Sequence, residues 1–304
     1  MEYCLTTYNL SKKYKKLFAL KDLTMSVPKG SIYGLIGKNG AGKTTLIRII
    51  CGLQLPSGGS YSLYGVPYTD KSISLIRSRM GAVVETPSLF DNMSASDNLK
   101  HQFTLLGKTS YDDISNLLET VSLANTGKQK VKNFSLGMKQ RLGIAMALAG
   151  NPDFIVLDEP VNGLDPQGIV EIRELILSLN RNQNITFLIS SHILEELSKL
   201  ATHYGFMDGG AIVKEISAAE LEQLYSKKIT IVVDCSANLA PALDEVGLEY
   251  KLLADNRAEI YGDIQVSMLC NTLACHGINL LKVNESDENL EGYYINLLGG
   301  RGNA

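Results

Sequence analysis

The stretch "GKNGAGKTTLIRII", residues 37–50, constrains this chain more than any other. Gly37, Gly40 and Gly42 stand close together, and Lys43, Thr44, Thr45 and an aliphatic run follow at once. A backbone this bare can adopt conformations that side chains resist, and it can aim successive N–H groups at one anion. "TTLIRII" has helical spacing, so the loop leads into the positive end of a helix. "IYGLI" before it reads as an apolar strand. A glycine turn that merely contains Lys-Thr would lack both neighbours. With strand and helix in place, Gly37, Lys38, Asn39, Gly40, Ala41 and Gly42 are expected to cradle phosphate oxygens. Lys43 would reach the β and γ phosphates, and the Thr44 hydroxyl would ligate Mg²⁺. ATP with Mg²⁺ is the expected cofactor pair.

A magnesium nucleotide also needs an acidic strand end, and "FIVLDEP" supplies one. Asp158 would hold the metal, directly or through water, and Glu159 would accept the proton of the attacking water. On their own these acids could be ordinary helix caps at a strand–helix turn; the phosphate loop weighs against that. "TFLISSH" places His192 at the end of another strand. Ligands of open parallel sheets sit at the carboxyl ends of strands, so His192 can bond the γ-phosphate or the water. His101, His203 and His276 have no such context and are read as inert.

Bulk properties bound the rest. The 304 residues suit a large domain with a small one. A net charge of −3 gives no reason to expect a nucleic-acid partner. Cys4, Cys51, Cys235, Cys270 and Cys275 are odd in number and contain no CxxC pair, so they are expected to be reduced and buried. Cys270, Cys275 and His276 fit no zinc spacing; thiols packed on a helix are the plainer reading. The N-terminus has no signal-peptide core, and no run reaches the ~18 apolar residues of a membrane span.

Along the chain, short strands fill residues 1–36, and residues 94–149 are mostly helical, with "YDDISNLLETVSLA", residues 111–124, among the helices. "FIVLD" and "TFLISS" are continuous aliphatic strands of the kind buried on both faces of a parallel sheet, with helix "PQGIVEIRELILSLN" between them. The expected core fold is α/β. Near residue 225 the pattern changes to strand, helix, strand, strand, helix, strand: "KKITIVVDC", "APALDEVG", "YKLLA", "AEIYG", "QVSMLCNTLACHG", "INLLKV". That order predicts a small α+β, ferredoxin-like domain. A last helix, "ENLEGYYINLLGG", follows. The expected division is 1–220 for the main domain, with a helical subdomain at about 86–150, and 225–304 for the accessory one.

The ordered set of motifs resembles the ATP-binding subunit of an ABC transporter. "GKNGAGKT" is similar to its Walker A motif, "FIVLDEP" to Walker B, "NFSLGMKQRL" to the signature, "NGLDP" to the D-loop and "SSH" to the H-loop. Tyr14 stands where that family stacks an aromatic on adenine. The resemblance covers about residues 1–220. It implies a P-loop NTPase core with an N-terminal antiparallel β subdomain and a helical subdomain. It also implies a homodimer in the ATP-bound state with two nucleotides in its interface. Ser135 and Gly137 would then contact the opposite ATP, and Asp165 would couple the two sites. Hydrolysis would reopen the dimer and drive a separate polytopic membrane permease, which places the subunit in the cytoplasm on the inner face of the membrane.

Two departures stand out. Glu85 replaces the family's glutamine after "GAVV"; a carboxylate is a stronger, charged Mg²⁺ ligand, although a solvated strand end is the plainer alternative. The signature reads Phe134-Ser135-Leu136-Gly137-Met138, with Leu136 for a glycine and Met138 for a glutamine. Glu85 with "SLGMKQR" resembles the branch that serves bacitracin-resistance and lantibiotic self-protection exporters, which pair with ABC-2 type permeases. Two other classes are a soluble ABC-type ATPase of iron–sulfur assembly, repair or translation, and a regulatory nucleotide binder without turnover, which Glu159 and His192 disfavour. Leu89, Phe90 and Met93 are either permease contacts or core of the helical subdomain.

Overall fold

The computed structural model describes residues 2–224, 228–236, 238–247, 249–253, 256–261, 265–286 and 290–299. The chain divides into two compact units, Met1–Ser217 and Ala218–Ala304.

The first unit begins with a hairpin of β1 (Tyr3–Tyr14) and β2 (Leu17–Pro28). β3 (Ile32–Ile36) then leads through the glycine loop into α1 (Lys43–Ile50). Next come β4 (Gly58–Leu63), β5 (Val66–Pro67), α2 (Ile73–Arg77) and β6 (Met80–Val83). Three helices follow: α3 (Ala95–Leu105), α4 (Asp113–Thr120) and α5 (Leu136–Leu148). The unit closes with β7 (Phe154–Asp158), α6 (Pro166–Gln183), β8 (Thr186–Ser191), α7 (Leu194–Ser198), β9 (His203–Asp208) and β10 (Ala211–Ser217).

Two sheets carry these elements. One is antiparallel, in the order β2-β1-β4-β5. The other runs β10-β9-β3-β8-β7-β6, parallel except for the antiparallel edge strand β10. Every residue of β3, β7 and β8 is buried, as the unbroken aliphatic runs require of strands covered on both faces. α1 joins the sheets. Its Leu46, Ile47, Ile49 and Ile50 share a hydrophobic cluster with Leu5, Leu23 and Met25 of the antiparallel sheet and Leu35, Val156 and Leu188 of the parallel one. The register sets Ile36 beside Ser191 and Asp158 beside Ser190, so β3, β8 and β7 end at one level. The glycine loop, Glu159 and His192 are thereby carried to the same edge.

Three helices, α3, α5 and α6, start on side-chain caps, whereas α4 does not. Ser94 and Asp97 form a reciprocal capping box at α3. Ser135 caps α5, and Asp165 with Pro166 opens α6. The expected helix over residues 111–124 stops at Thr120 instead. Ser122 turns left-handed at φ 56°, and the turn buries both Val121 and Leu123.

The second unit contains α8 (Ala218–Leu224), β11 (Lys228–Val233), α9 (Leu239–Val246), β12 (Glu249–Leu253), β13 (Arg257–Tyr261), α10 (Val266–Cys275), β14 (Leu280–Ser286) and α11 (Leu290–Gly299). Its sheet is antiparallel in the order β12-β13-β11-β14. Its core is its own: Ile229, Ile231, Leu239, Leu243, Ile260, Leu269 and Leu273 pack together. Lys227, Ala254, Gly262, Glu288, Asn289 and Gly300, which end segments expected here, lie outside the described residues.

All five cysteines are free, but they are not all buried. Cys4 is buried and Cys51 half-buried, whereas Cys235 and Cys275 are exposed. Cys235 follows the end of β11, and Cys275 ends α10 on a side turned to solvent. No group of three or more His, Cys, Asp and Glu able to hold a metal occurs among the described residues. Nor is any described helix long and apolar enough to cross a membrane.

Candidate nucleotide site

The glycine loop leaves β3 and takes left-handed conformations at Gly40, φ 83°, and Gly42, φ 107°. The two are constrained differently. Among the described residues nothing lies within 4 Å of where a Gly40 Cβ would stand, so only conformation demands glycine there. A Cβ on Gly42 would collide with the Ala19 carbonyl oxygen and stand 2.8 Å from Met207 Cε. The loop is pressed against the β-hairpin and cannot thicken. Lys43 is buried at the start of α1, and its ammonium bonds the Gly37 carbonyl at 2.6 Å and the Lys38 carbonyl at 3.4 Å. The loop thus holds its own cation in place.

From Lys43 a polar chain crosses to the ends of β7 and β8. Lys43 Nζ lies 3.2 Å from Glu159 Oε1, and Glu159 Oε2 lies 2.7 Å from His192 Nδ1. Glu159 itself is left-handed, φ 51°, a conformation that costs a non-glycine residue about 1 kcal/mol. Its backbone is tied to Ser190: the Glu159 N–H donates to Ser190 Oγ at 3.0 Å. The Ser190 hydroxyl donates in turn to Asp158 Oδ1 at 2.5 Å. Asp158 is 1 % exposed, and its Oδ2 is buried with no hydrogen-bond partner among the described residues. A buried carboxylate oxygen left unpaired is costly unless a cation meets it, and that fits a divalent metal. Thr44, Glu85, Asp158 and Glu159 line one cleft of about 500 Å³ together with Leu136, Gln140 and Asn162.

Lys43, Glu159 and His192 are therefore in direct contact, with Asp158, Thr44 and Glu85 around one cleft beside them. Glu85 follows β6 in a left-handed conformation, φ 61°, and its Oε1 pairs with Arg48 of α1 at 2.5 Å. Tyr14, at the end of β1, donates its hydroxyl to Gln54, and the Lys12 ammonium sits 5.3 Å from its ring centre. Ser135 and Asp165 are engaged at helix starts: Ser135 Oγ accepts from Met138 N–H at 3.2 Å, and Asp165 Oδ1 from Gly168 N–H at 3.1 Å. Leu89 is half-buried, while Phe90 and Met93 are exposed.

Two residues of this site escaped the sequence reading. Ser190 lies inside "SSH", and the signal for it was a polar residue at the end of an aliphatic strand. Arg48 interrupts the apolar run "TTLIRII" and marks the solvent side of α1; nothing in the sequence links it to Glu85.

Comparisons with known proteins bear on the family and the fold. The ABC transporter family pattern matches residues 20–162. The bacitracin transport ATP-binding protein BcrA of Enterococcus faecalis is 37 % identical over 309 residues, covering 100 % of this chain and 99 % of its own length. The lantibiotic transport ATP-binding protein SrtF of Streptococcus pyogenes is 45 % identical over 224 residues, 73 % of this chain and 95 % of its own. Among solved structures, an ATP-binding cassette of an ABC transporter in its ADP conformation superposes with a TM-score of 0.65 at 28 % identity, covering 73 % of this chain and 94 % of that one. CbiO1 of Clostridium perfringens, part of an ABC transporter complex, gives 0.65 at 27 % identity over 73 % of this chain and 92 % of that one. The chain belongs to the ABC transporter family, as an ATP-binding subunit and ATP hydrolase.

Proposed function

We propose that this subunit drives export of antimicrobial peptides of the bacitracin and lantibiotic type through a separate polytopic permease, working as a homodimer closed by ATP·Mg²⁺. The observation that carries the catalytic part is the Lys43–Glu159–His192 chain at the joined ends of the glycine loop, β7 and β8. The relatives named for bacitracin and lantibiotic transport support the cargo class, and the full-length match to the former favours an exporter subunit over a soluble ATPase.

Bound ATP·Mg²⁺ supplies the scissile γ-phosphoryl group and the divalent charge that offsets it. The loop N–H groups of residues 37–44 and the start of α1 bind the phosphates, and Lys43 adds its charge. Thr44 Oγ1 and Asp158 are the residues that would hold the metal, with Glu85 a third acceptor at the rim. Glu159 Oε2 faces His192 and Oε1 faces Lys43; once the Lys43 charge is shared with the bound phosphates, Oε1 is the oxygen that would take the proton of the attacking water. His192 holds Glu159 in that orientation. Tyr14 would stack on adenine. In the dimer, the Ser135 hydroxyl, which spends only a lone pair on its cap, remains free to donate to the opposite nucleotide. Gly137 keeps the start of α5 open beside it, and Asp165 lies at the start of α6 to sense the partner. Phe90 and Met93 offer exposed apolar contacts for the permease. The second unit is an accessory domain that follows the ATPase unit.

The test is capture from native membranes with a tagged Glu159→Gln variant in mild detergent, ATP and Mg²⁺. A stoichiometric polytopic protein is the expected partner, and deletion of the gene should sensitise the cells to bacitracin or a lantibiotic. Capture of soluble protein alone would overturn the permease reading; unchanged susceptibility would overturn the cargo.

A further inference from the structure

Arg141 lies in the second turn of α5, below Ser135, and no part of the mechanism above uses it. Its Nη1 reaches three acceptors on two other elements. It is 3.5 Å from the carbonyl oxygen of Val121 and 3.4 Å from that of Ser122, where the chain turns after α4. It is also 3.5 Å from Glu171 Oε2 on α6. Glu171 Oε1 accepts in turn from Gln167 Nε2 at 3.2 Å, one turn closer to Asp165. The arginine side chain is only 15 % exposed and the glutamate 38 %, so the pair is half-shielded from solvent. Glu171 is the only carboxylate paired with Arg141 among the described residues.

The same seam is packed at its upper end. A Cβ on Gly163 would stand 3.3 Å from Leu136 Cδ2, and one on Gly137 would stand 3.9 Å from Leu164 Cδ2. Gly137 and Arg141 are four residues apart and share a face of α5; Gln167 and Glu171 do the same on α6. The start of α5 therefore packs on the loop before α6, beside Ser135 and Asp165, and about 6 Å further down an ionic contact ties α5 to α6 itself. The leucine that departs from the glycine-rich signature is part of this seam.

We propose that Arg141 is a positioning residue that locks α5 to α6, so that Ser135 and Asp165 move as one body when the dimer closes. This rests on the homodimer reading above. Through Arg141, a contact made at the start of α5 displaces the start of α6, and the end of α4 moves with them. Leu136 supplies the upper contact of the lock. Glu171 is its counter-charge.

The experiment measures ATP-driven dimerisation of the full-length protein by sedimentation, in the Glu159→Gln background with ATP and Mg²⁺. It adds Arg141→Met, Glu171→Gln and the two together. Each single variant should weaken dimerisation about tenfold while leaving ATP binding to the monomer unchanged. The double variant should lose no more than Arg141→Met alone, because Glu171→Gln removes a link that Arg141→Met already removes. A residue with only a structural role would instead lower the melting temperature and leave the dimer constant alone. Dimerisation of Glu171→Gln at the parental strength, or additive losses in the double variant, would overturn the lock. Should Arg141→Met fail to fold, Glu171→Gln carries the test, since it removes charge and little volume. If the Glu159→Gln parent forms no dimer with ATP, the homodimer reading falls, and that result is distinct from a failure of the lock.

Discussion

Two helix starts in this molecule are proposed to meet phosphate, and they are built in different ways. At α1 the backbone itself is the device. Gly42 is left-handed and wedged against the Ala19 carbonyl, and Lys43 is held by the carbonyl of Gly37. At α5 a side chain is the device: Ser135 caps the helix, and the residues after it are not tied to special backbone angles. The first arrangement has no room for change, and "GKNGAGKT" keeps every position of its motif. The second tolerates Leu136 and Met138, because a cap needs one hydroxyl and one backbone N–H. A phosphate site built from backbone conformation fixes its sequence; one built from a cap fixes a single residue.

The largest effect should come from the middle of the polar chain. Glu159→Gln should lower ATP turnover by a factor of about 10² to 10⁴, the range for loss of a general base, while ATP still binds. Steady-state phosphate release and equilibrium nucleotide binding, measured side by side, check it. Turnover within threefold of the parent would remove Glu159 from its proposed role.

The contrast within the glycine loop is the next test. Gly42→Ala should abolish measurable ATP binding, because the added methyl must push the hairpin or the loop aside. Gly40→Ala has open space and meets only the left-handed penalty, about 1 kcal/mol. Its ATP affinity should fall less than tenfold. Equal losses at both positions would show that conformation alone, and not packing against Ala19, sets the loop.

The same contrast explains what could be read from the sequence. The glycine loop, the strands "FIVLD" and "TFLISS" and the residues at their ends were legible, because each reports local backbone chemistry or two-sided burial. Even so, the sequence could not show that Lys43, Glu159 and His192 form a continuous chain, since that depends on the register of β3, β8 and β7. Ser190 was hidden for the same reason: its bond to Asp158 crosses between strands. The helix expected through residue 124 ended early because burial of Val121 and Leu123 outweighed helical periodicity. The cysteines were read as buried from residue type alone, and residue type says nothing of which side of α10 faces solvent. Arg48 and Arg141 looked like ordinary charges on helices; both find their carboxylates on elements far away in the chain.

Glu85 sharpens the comparison at the rim, where the two helix starts face one cleft. Its carboxylate is 58 % exposed and paired with Arg48, so the pair should add at most about 1 kcal/mol to stability. Its proposed effect is on the metal. Removing the charge in Glu85→Gln should narrow the gap between ATP affinity with and without Mg²⁺. A factor of tenfold or less is expected, about 1 kcal/mol for a solvated unit charge a few ångströms away. Arg48→Ala, which leaves Glu85 uncompensated, should widen the gap. Titrations of ATP at fixed Mg²⁺ and in chelator would show opposite signs for the two variants; the same sign would exclude the carboxylate from the metal's surroundings.

The smallest effect is expected at the signature. Met138 contributes its backbone N–H to the Ser135 cap, a bond that Met138→Gln keeps. That substitution should shift the melting temperature by less than about 2 °C, within the ±0.5 kcal/mol of ordinary surface changes. Leu136→Gly restores the family's usual residue and yet should destabilise the fold by about 1 kcal/mol. It puts glycine into a helix and withdraws the side chain that lies over Gly163. Paired thermal melts decide this. If both variants were equally silent, Leu136 would be an idle side chain rather than a contact between α5 and the loop before α6. If instead Met138→Gln were the more disruptive, the side chain at that position, and not the cap, would be holding the start of α5.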